Sequence, residues 1–366
     1  MHRVQALNNS QKLVLPKVLF ICINFDRDPD FEALIDEGIG LVNSANYEIL
    51  QTIIANKARV DPKFFIGSGK VEEIKSICDN LDIKTIIINH NLTPLQERNL
   101  ERELNLTVID RTRLILDIFA SRVKSKEGVL QVELATLSHQ LSRLVRRWTH
   151  LERQKGGIGL RGGPGETQME LDRRIIREKI KSLKKQLSVA VGQRYTMRRN
   201  RFKNGVFSTS LVGYTNAGKS TLFNTLTKSK AYVEDRLFAT LETTSRQLYL
   251  SNDSPGIVVS DTVGFIRDLP HTLVAAFRAT LEETVHANLL LHVVDCSDML
   301  RERQIEDVNL VLKEIKADNI PQLIVYNKID LKSSLTPKIV YASVGDPSAV
   351  YVSAINKLGM NLLLQA

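Results

Sequence analysis

The chain has 366 residues, 43% hydrophobic and 25% charged, enough for two or three globular units. Its apolar runs are shorter than a membrane span and its first dozen residues hold no apolar core of a secretion signal, which argues against a membrane-spanning or exported protein. The net charge of +9 is concentrated in one stretch: residues 1–120 sum to −3 and 206–366 to −2, whereas 121–205 hold 21 basic and 7 acidic residues, a net of +14 that favours a polyanionic partner.

From the N-terminus the pattern alternates strand and helix. Residues 17–24 (KVLFICIN) are a continuous apolar run expected as a buried strand, and 31–42 have helical spacing. Residues 47–55 read as a strand, 70–78 as a helix, 84–89 as a strand, 95–104 as a helix and 106–109 as a fourth strand. This alternation predicts a small, mostly parallel sheet with helices against it over residues 1–120. Gly67-Ser68-Gly69-Lys70 resembles a phosphate loop at first sight. Phe64 stands where the first glycine belongs and Val71 where a hydroxyl belongs, so the tetrapeptide is expected as a turn entering a helix. Cys22, Cys78 and Cys296 form no CxxC pair, so buried thiols in a reducing cytosol are expected rather than a zinc site or disulfides.

The basic stretch, 121–205, predicts a hairpin of two long amphipathic helices. Leu130, Leu134, Leu137, Leu141, Leu144 and Trp148 are spaced to form one apolar stripe, and Met169, Ile176, Ile180, Leu183, Leu187 and Ala190 form another. Between them, residues 156–165 contain six glycines and Pro164, which exclude a helix. Thr167 and Glu170 have capping-box spacing and are expected to start the second helix. Arg153, Lys155 and Arg161 at the glycine-rich tip suit contact with phosphates and bases, because bare backbone approaches closely and arginine pairs or stacks. Residues 194–203 (RYTMRRNRFK) are expected as a basic linker into the last part, 206–366.

There the pattern becomes strand, loop, helix. A strand at 206–212 leads into Gly213-Tyr214-Thr215-Asn216-Ala217-Gly218-Lys219-Ser220, which fits GxxxxGK[ST], and Thr221 follows in an opening helix. Glycines let backbone N–H groups point at phosphates, Lys219 brings a cation to the β- and γ-phosphates, and Ser220 offers a hydroxyl to Mg²⁺. A strand at 257–260 ends in Asp261-Thr262-Val263-Gly264, the DxxG pattern, in which Asp261 is expected to hold the magnesium through water and the Gly264 N–H to sense the γ-phosphate. A strand at 323–326 ends in Asn327-Lys328-Ile329-Asp330, the NKxD pattern. Asp330 can accept from guanine N1 and N2, a pair of donors adenine lacks; Asn327 is expected to tether the loops and Lys328 to cover the base. After a strand at 350–352, Ser353-Ala354-Ile355 is expected to close over the guanine. Three such motifs in order at strand ends predict a P-loop GTPase of the doubly wound α/β class. Between the first two, a switch segment at 235–246 should bring a threonine to Mg²⁺, and Thr240, Thr243 and Thr244 all qualify. Phe265 follows DTVG where many GTPases place a glutamine that orients water, so slow turnover by the isolated protein is expected, faster with a partner.

These residues identify a resemblance. Residues 156–174 (GGIGLRGGPGETQMELDRR), with QVELATLSHQL at 131–141 and the stretch 67–73, resemble the HflX family of ribosome-associated GTPases, within the Obg–HflX group. The family's tip reads GGxGxRGPGETQ; this chain has one additional glycine, Gly162 or Gly163. The resemblance implies binding to the large ribosomal subunit, splitting of stalled ribosomes, and a hairpin that approaches ribosomal RNA. It selects Thr240, within Phe238-Ala239-Thr240-Leu241-Glu242, as the switch threonine, so that Ser220 and Thr240 are the expected magnesium ligands. Against the family's pattern the chain is expected to be C-terminally short, ending at Ala366 without the additional C-terminal domain usual in the family, and a cytoplasmic monomer is expected. Asn216 resembles P-loop asparagines of GTPases that bind K⁺ beside the phosphates. An ATPase ascribed to the N-terminal part of such proteins has no phosphate loop to support it here. The alternative is a GTPase switch for another RNA or a ribosome-assembly partner.

Overall fold

The computed structural model describes residues 15–366 except 26–27, 58, 148–163, 204, 229–236, 242, 250–255, 268–269, 271–277 and 344, with backbone alone at 145–147, 164–169, 191, 193–203 and 278–280. Trp148, Arg153, Lys155, Arg161, the glycines 156–163 and Glu242 therefore lie outside the described residues.

The first sheet has the order β2-β1-β3-β4 and is parallel throughout. Its strands are β1 (Lys17–Phe25), β2 (Glu48–Lys57), β3 (Thr85–Ile88) and β4 (Thr107–Asp110). Helices α1 (Phe31–Ser44), α2 (Ser68–Leu81), α3 (Pro94–Leu104) and α4 (Arg111–Arg122) follow them. The unbroken apolar run of β1 reflects its central place, buried on both faces. Val18, Phe20 and Cys22 face one core with α1 and α4, while Leu19, Ile21 and Ile23 face the other with α2 and α3. All three cysteines are buried and free. The look-alike loop is the start of α2: Gly67 is its N-cap, and Lys70 pairs with Glu73 at 2.9 Å. Helix α3 opens on a capping box of Thr93 and Gln96. Helix α4 was not legible in the sequence. Leu114, Ile115, Leu116, Ile118 and Phe119 are all buried, so it is apolar around most of its circumference and shows no single stripe.

Helix α5 (Lys126–Arg147) and helix α6 (Pro164–Lys203) pack against each other. On α6, Leu183 and Leu187 are buried and Ile176, Ile180 and Ala190 half-buried, as the stripe predicts. Leu130, Leu134, Leu137, Leu141 and Leu144 are half-buried; the buried positions of α5 lie elsewhere, at Gly128, Gln131, Val132 and Ala135, the last two set into the core of α1 and α4. Two expectations are corrected. The second helix starts at Pro164, three residues before Thr167, because proline at the first helical position loses no hydrogen bond and presets the dihedral. Residues 194–203 are not a linker: they continue α6 to Lys203, since no proline interrupts them and arginine, lysine and methionine favour helix.

The second sheet has the order β10-β11-β9-β8-β5-β7-β6. Its strands are β5 (Ser208–Val212), β6 (Thr244–Leu248), β7 (Ile257–Asp261), β8 (Leu289–Asp295), β9 (Gln322–Asn327), β10 (Lys338–Tyr341) and β11 (Pro347–Tyr351). The five inner strands are parallel, and the edges β6 and β10 run antiparallel. The helices are α7 (Lys219–Thr227), α8 (Arg278–Val285), α9 (Arg301–Glu314) and α10 (Met360–Gln365). Strand β5 is the first in this sheet and is flanked by β7 and β8, so the strand order reverses beside it. In doubly wound sheets a ligand crevice opens at that reversal, at the carboxyl ends of the strands. Among the described residues, no helix is long and apolar enough to cross a membrane.

Candidate nucleotide site

Residues 213–220 leave the carboxyl end of β5 and enter α7. Gly213 has φ +147°, and a Cβ there would stand 2.2 Å from the Val293 carbonyl; Gly218 has φ +91°, and a Cβ would stand 2.3 Å from Asn327 Nδ2. Both positions therefore demand glycine on grounds of dihedral and of space. The loop borders a cleft of about 430 Å³ lined by Thr215, Asn216, Gly218, Lys219, Ser220, Thr221, Phe238, Ala239, Thr240, Thr262 and Gly264.

Lys219 is buried and its ammonium donates to the carbonyls of Gly213 (3.1 Å) and Tyr214 (2.7 Å). Burial pulls its pKa down to about 8, against the opposing charge of Asp261. The hydroxyls of Ser220 and Thr240 are 2.6 Å apart, and Thr240 donates to Asp261 Oδ2 at 3.1 Å. The sequence left Thr240, Thr243 and Thr244 open; the fold brings the Thr240 hydroxyl to Ser220 and puts Thr244 in β6. Asp261 is buried, which raises its pKa, with hydrogen bonds from Ser220 and the Lys219 charge opposing. Its Oδ1 and the hydroxyl of Thr215 are buried without a hydrogen-bond partner. Hard oxygen donors converging beside an orphaned carboxylate oxygen fit a hydrated Mg²⁺ that also touches phosphate.

Gly264 lies against the loop: a Cβ there would meet Thr215 Cα at 2.9 Å and Lys219 Nζ at 3.0 Å. Phe265 is fully buried among Val212, Leu281, Leu290, Val308 and Leu312, so its ring faces the core and cannot orient water at the cleft. Its backbone is bridged to the loop, Thr215 N–H donating to the Phe265 carbonyl at 2.7 Å. Thr262 is buried and bonds the Leu211 carbonyl at 2.6 Å; Val263 and Leu241 pack inward.

At the other end, Asn327 donates to the Ala217 carbonyl (3.0 Å) and accepts from the Ala354 N–H (2.9 Å), tying three loops together. Thr225 of α7 adds a bond to the Ala354 carbonyl at 3.0 Å. The Lys328 ammonium pairs with Asp295 at 2.7 Å, Ile329 is buried, and the exposed Asp330 accepts from the Ser353 hydroxyl. Ile355 is exposed at the rim.

The depressed Lys219 pKa has a consequence for binding. A polyphosphate beside the ammonium restores its positive form. GTP binding should therefore take up a proton near pH 8, and affinity should fall by up to about tenfold per pH unit above it. Calorimetry at pH 8.5 in two buffers of different ionisation heat reads this directly; equal heats in both would refute it.

Sequence reasoning missed Glu37, Arg111 and Arg267, which gather around Tyr214. The Tyr214 hydroxyl faces the first sheet unit, donating to Glu37 rather than pointing at the cleft. These residues come from distant parts of the chain, so no local spacing could have grouped them.

Comparison with known proteins agrees with this geometry. Residues 32–120 match the family described as GTP-binding GTPase N-terminal, 122–201 match GTP-binding GTPase Middle Region, and 208–328 match 50S ribosome-binding GTPase. The chain is 50% identical over 350 residues to the GTPase HflX of Escherichia coli K12, covering 96% of this chain and 82% of that one. It is 54% identical over 299 residues to the GTPase HflX of Magnetococcus marinus, covering 82% and 69%, and 47% identical over 330 residues to that of Alkalihalophilus pseudofirmus, covering 90% and 76%.

Proposed function

The chain belongs to the HflX family of GTPases, and from that premise we propose that it binds the large ribosomal subunit and couples its GTP cycle to ribosome association or to the splitting of stalled ribosomes. That it hydrolyses GTP follows from the family and the P-loop fold. The observation that carries the ribosomal reading is the basic helix α6. Arg174, Arg177, Lys179, Lys181, Lys184 and Lys185 are exposed along a helix of 40 residues, about 60 Å at 1.5 Å per residue. Such a charged rod suits the phosphate backbone of a folded RNA, whose counterions it would displace. The glycine-rich tip with Arg153, Lys155 and Arg161 is proposed as the part that meets the RNA.

In the nucleotide site, backbone N–H groups of the loop beyond Thr215, whose own N–H is held by the Phe265 carbonyl, bind the phosphates, and Lys219 carries positive charge to the β- and γ-oxygens. Ser220 and Thr240 are the proposed magnesium ligands, with Asp261 behind a water; a bound Mg²⁺ supplies charge neutralisation on the phosphate oxygens. Gly264 offers its N–H to the γ-phosphate, and Asp330 reads the guanine edge while Ser353, Ala354 and Ile355 border it. With Phe265 turned into the core, no side chain follows DTVG to align water, so turnover is slow until a partner completes the site. Asn216, at φ 60° in the loop, is the proposed K⁺ contact.

The test is GTP turnover with and without purified large ribosomal subunits, in K⁺ and in Na⁺ buffer, with Lys219→Met as the blank. Stimulation of at least about tenfold by the subunits, lost at raised salt, is the expected result; faster turnover in K⁺ would place the cation at Asn216. An unchanged rate with intact GTP binding would remove the ribosome from this reading and leave the GTPase.

A further inference from the structure

The segment that follows Gly264 is fastened by residues of the first sheet unit. Arg111, the first residue of α4, is 3% exposed. Its guanidinium donates to Asn89 Oδ1 at 2.7 Å, to a carboxylate oxygen of Glu37 on α1, and to the backbone carbonyl of Arg267 at 3.0 Å. The Tyr214 hydroxyl, in the phosphate loop, donates to the other oxygen of Glu37 and accepts from the backbone N–H of Arg267 at 2.7 Å. Both polar groups of the Arg267 peptide unit are thus held, the N–H by the phosphate loop and the carbonyl by α4, with Glu37 joining the two holders. Hydrogen bonds from a buried guanidinium to a part-buried carboxylate are stronger than neutral ones, and although Arg111 Nε is left without a partner, both terminal nitrogens of the guanidinium are engaged.

Apolar contacts support the same junction. Phe238, Leu241, Val263 and Ile266 lie in one core with Leu114, Ile118 and Phe119. The rings of Phe119 and Phe238 meet edge-on at 4.7 Å, and Arg122 donates to the Leu237 carbonyl at 2.7 Å. The two segments that border the γ-phosphate side of the cleft therefore pack on the N-terminal unit rather than on solvent.

We infer that Glu37, Arg111 and Tyr214 are positioning residues for GTP hydrolysis. They clamp the Arg267 backbone, and through the two intervening residues hold Gly264 against Thr215 and Lys219, so the seating of the N-terminal unit sets the turnover rate. This rests on the GTPase reading of the site. An interface that only stabilised the fold would lower the melting temperature without separating kcat from KM.

The test uses the full chain with Tyr214→Phe, which removes one oxygen, with Glu37→Gln, and with both together. Each single variant should lose about tenfold in kcat for GTP, with KM changed less than about twofold. The double variant should be no slower than the worse single one, because both open the same clamp. Amide exchange over residues 263–267 should quicken at least about tenfold in Tyr214→Phe, since the Arg267 N–H loses its acceptor. A kcat within twofold of wild type in both single variants, or unaltered exchange in Tyr214→Phe, would overturn the proposal. If Glu37→Gln does not fold, Tyr214→Phe alone decides. A wild-type chain without any turnover that Lys219→Met removes would instead sink the GTPase reading, while the exchange measurement still reports on the clamp.

Discussion

Asp330→Asn should weaken GTP binding by about 10³- to 10⁴-fold and turn the site toward xanthosine triphosphate. Asp330 stands in the 3₁₀ turn after β9, exposed toward the guanine end and held by the Ser353 hydroxyl. A carboxylate there accepts from guanine N1–H and from the exocyclic amine. Asparagine keeps an oxygen that can still accept from Ser353, so the turn geometry survives, but it now presents an amide N–H₂ to the guanine amine. Two donors then face each other, and one buried polar group is left unpaired in the complex. Xanthine carries an oxygen at that ring position, which an amide can serve. Competition of the two triphosphates for the variant and the parent measures the exchange of preference. Undiminished GTP affinity in the variant would mean that the base is read by other residues.

How much of this was readable in the residue string follows from what is local. The phosphate loop, the DTVG turn and the NKID turn are short motifs at the ends of apolar strands, and the parallel order brings the carboxyl ends of β5, β7 and β9 to one end of the sheet. The apolar runs gave β1, β3 and β9 for the same reason: a strand buried on both faces needs no partner to be recognised. The edges β6 and β10 were invisible because TSRQL and KIVY mix polar and apolar residues without a sustained period. Helix α4 was hidden by the opposite fault, being apolar on nearly every side. Residues 194–203 lack an apolar stripe, so their charges suggested a linker although the backbone is helical. The junction around Tyr214 was least legible. Glu37 and Tyr214 are 177 residues apart, and Phe238 and Leu241, placed by the sequence at the phosphates, have side chains buried toward α4. Contacts of that separation are set by how the two sheets dock, which no spacing records.

Lys219→Met should lower kcat by at least about 10³-fold while leaving the nucleotide-free fold nearly as stable as before. The methionine stem fills the space of the lysine stem, so the cleft keeps its shape. Two opposing effects then set the stability. The Gly213 and Tyr214 carbonyls lose a charged donor at 3.1 and 2.7 Å, which costs a few kcal/mol. Against this, the folded chain no longer carries a buried ammonium whose pKa is held at about 8, and relief from that burial is worth about 3 kcal/mol at neutral pH. The sign follows from linkage: a lysine depressed in the folded state destabilises it at every pH below about 8, and the penalty fades as pH rises toward the ordinary lysine value. The two effects nearly cancel, so the melting temperature of the nucleotide-free variant should stay within a few degrees of the parent. With GTP the two should part: saturating ligand at 100 times its Kd adds about 2.7 kcal/mol to the parent, and the variant should gain little of it. Melting curves with and without GTP, beside single-turnover hydrolysis, measure both halves. A variant that melts far below the parent would make its inactivity uninformative about the phosphates. A variant that melts normally yet still hydrolyses GTP would show that the cation acting on the β- and γ-oxygens comes from elsewhere in the chain.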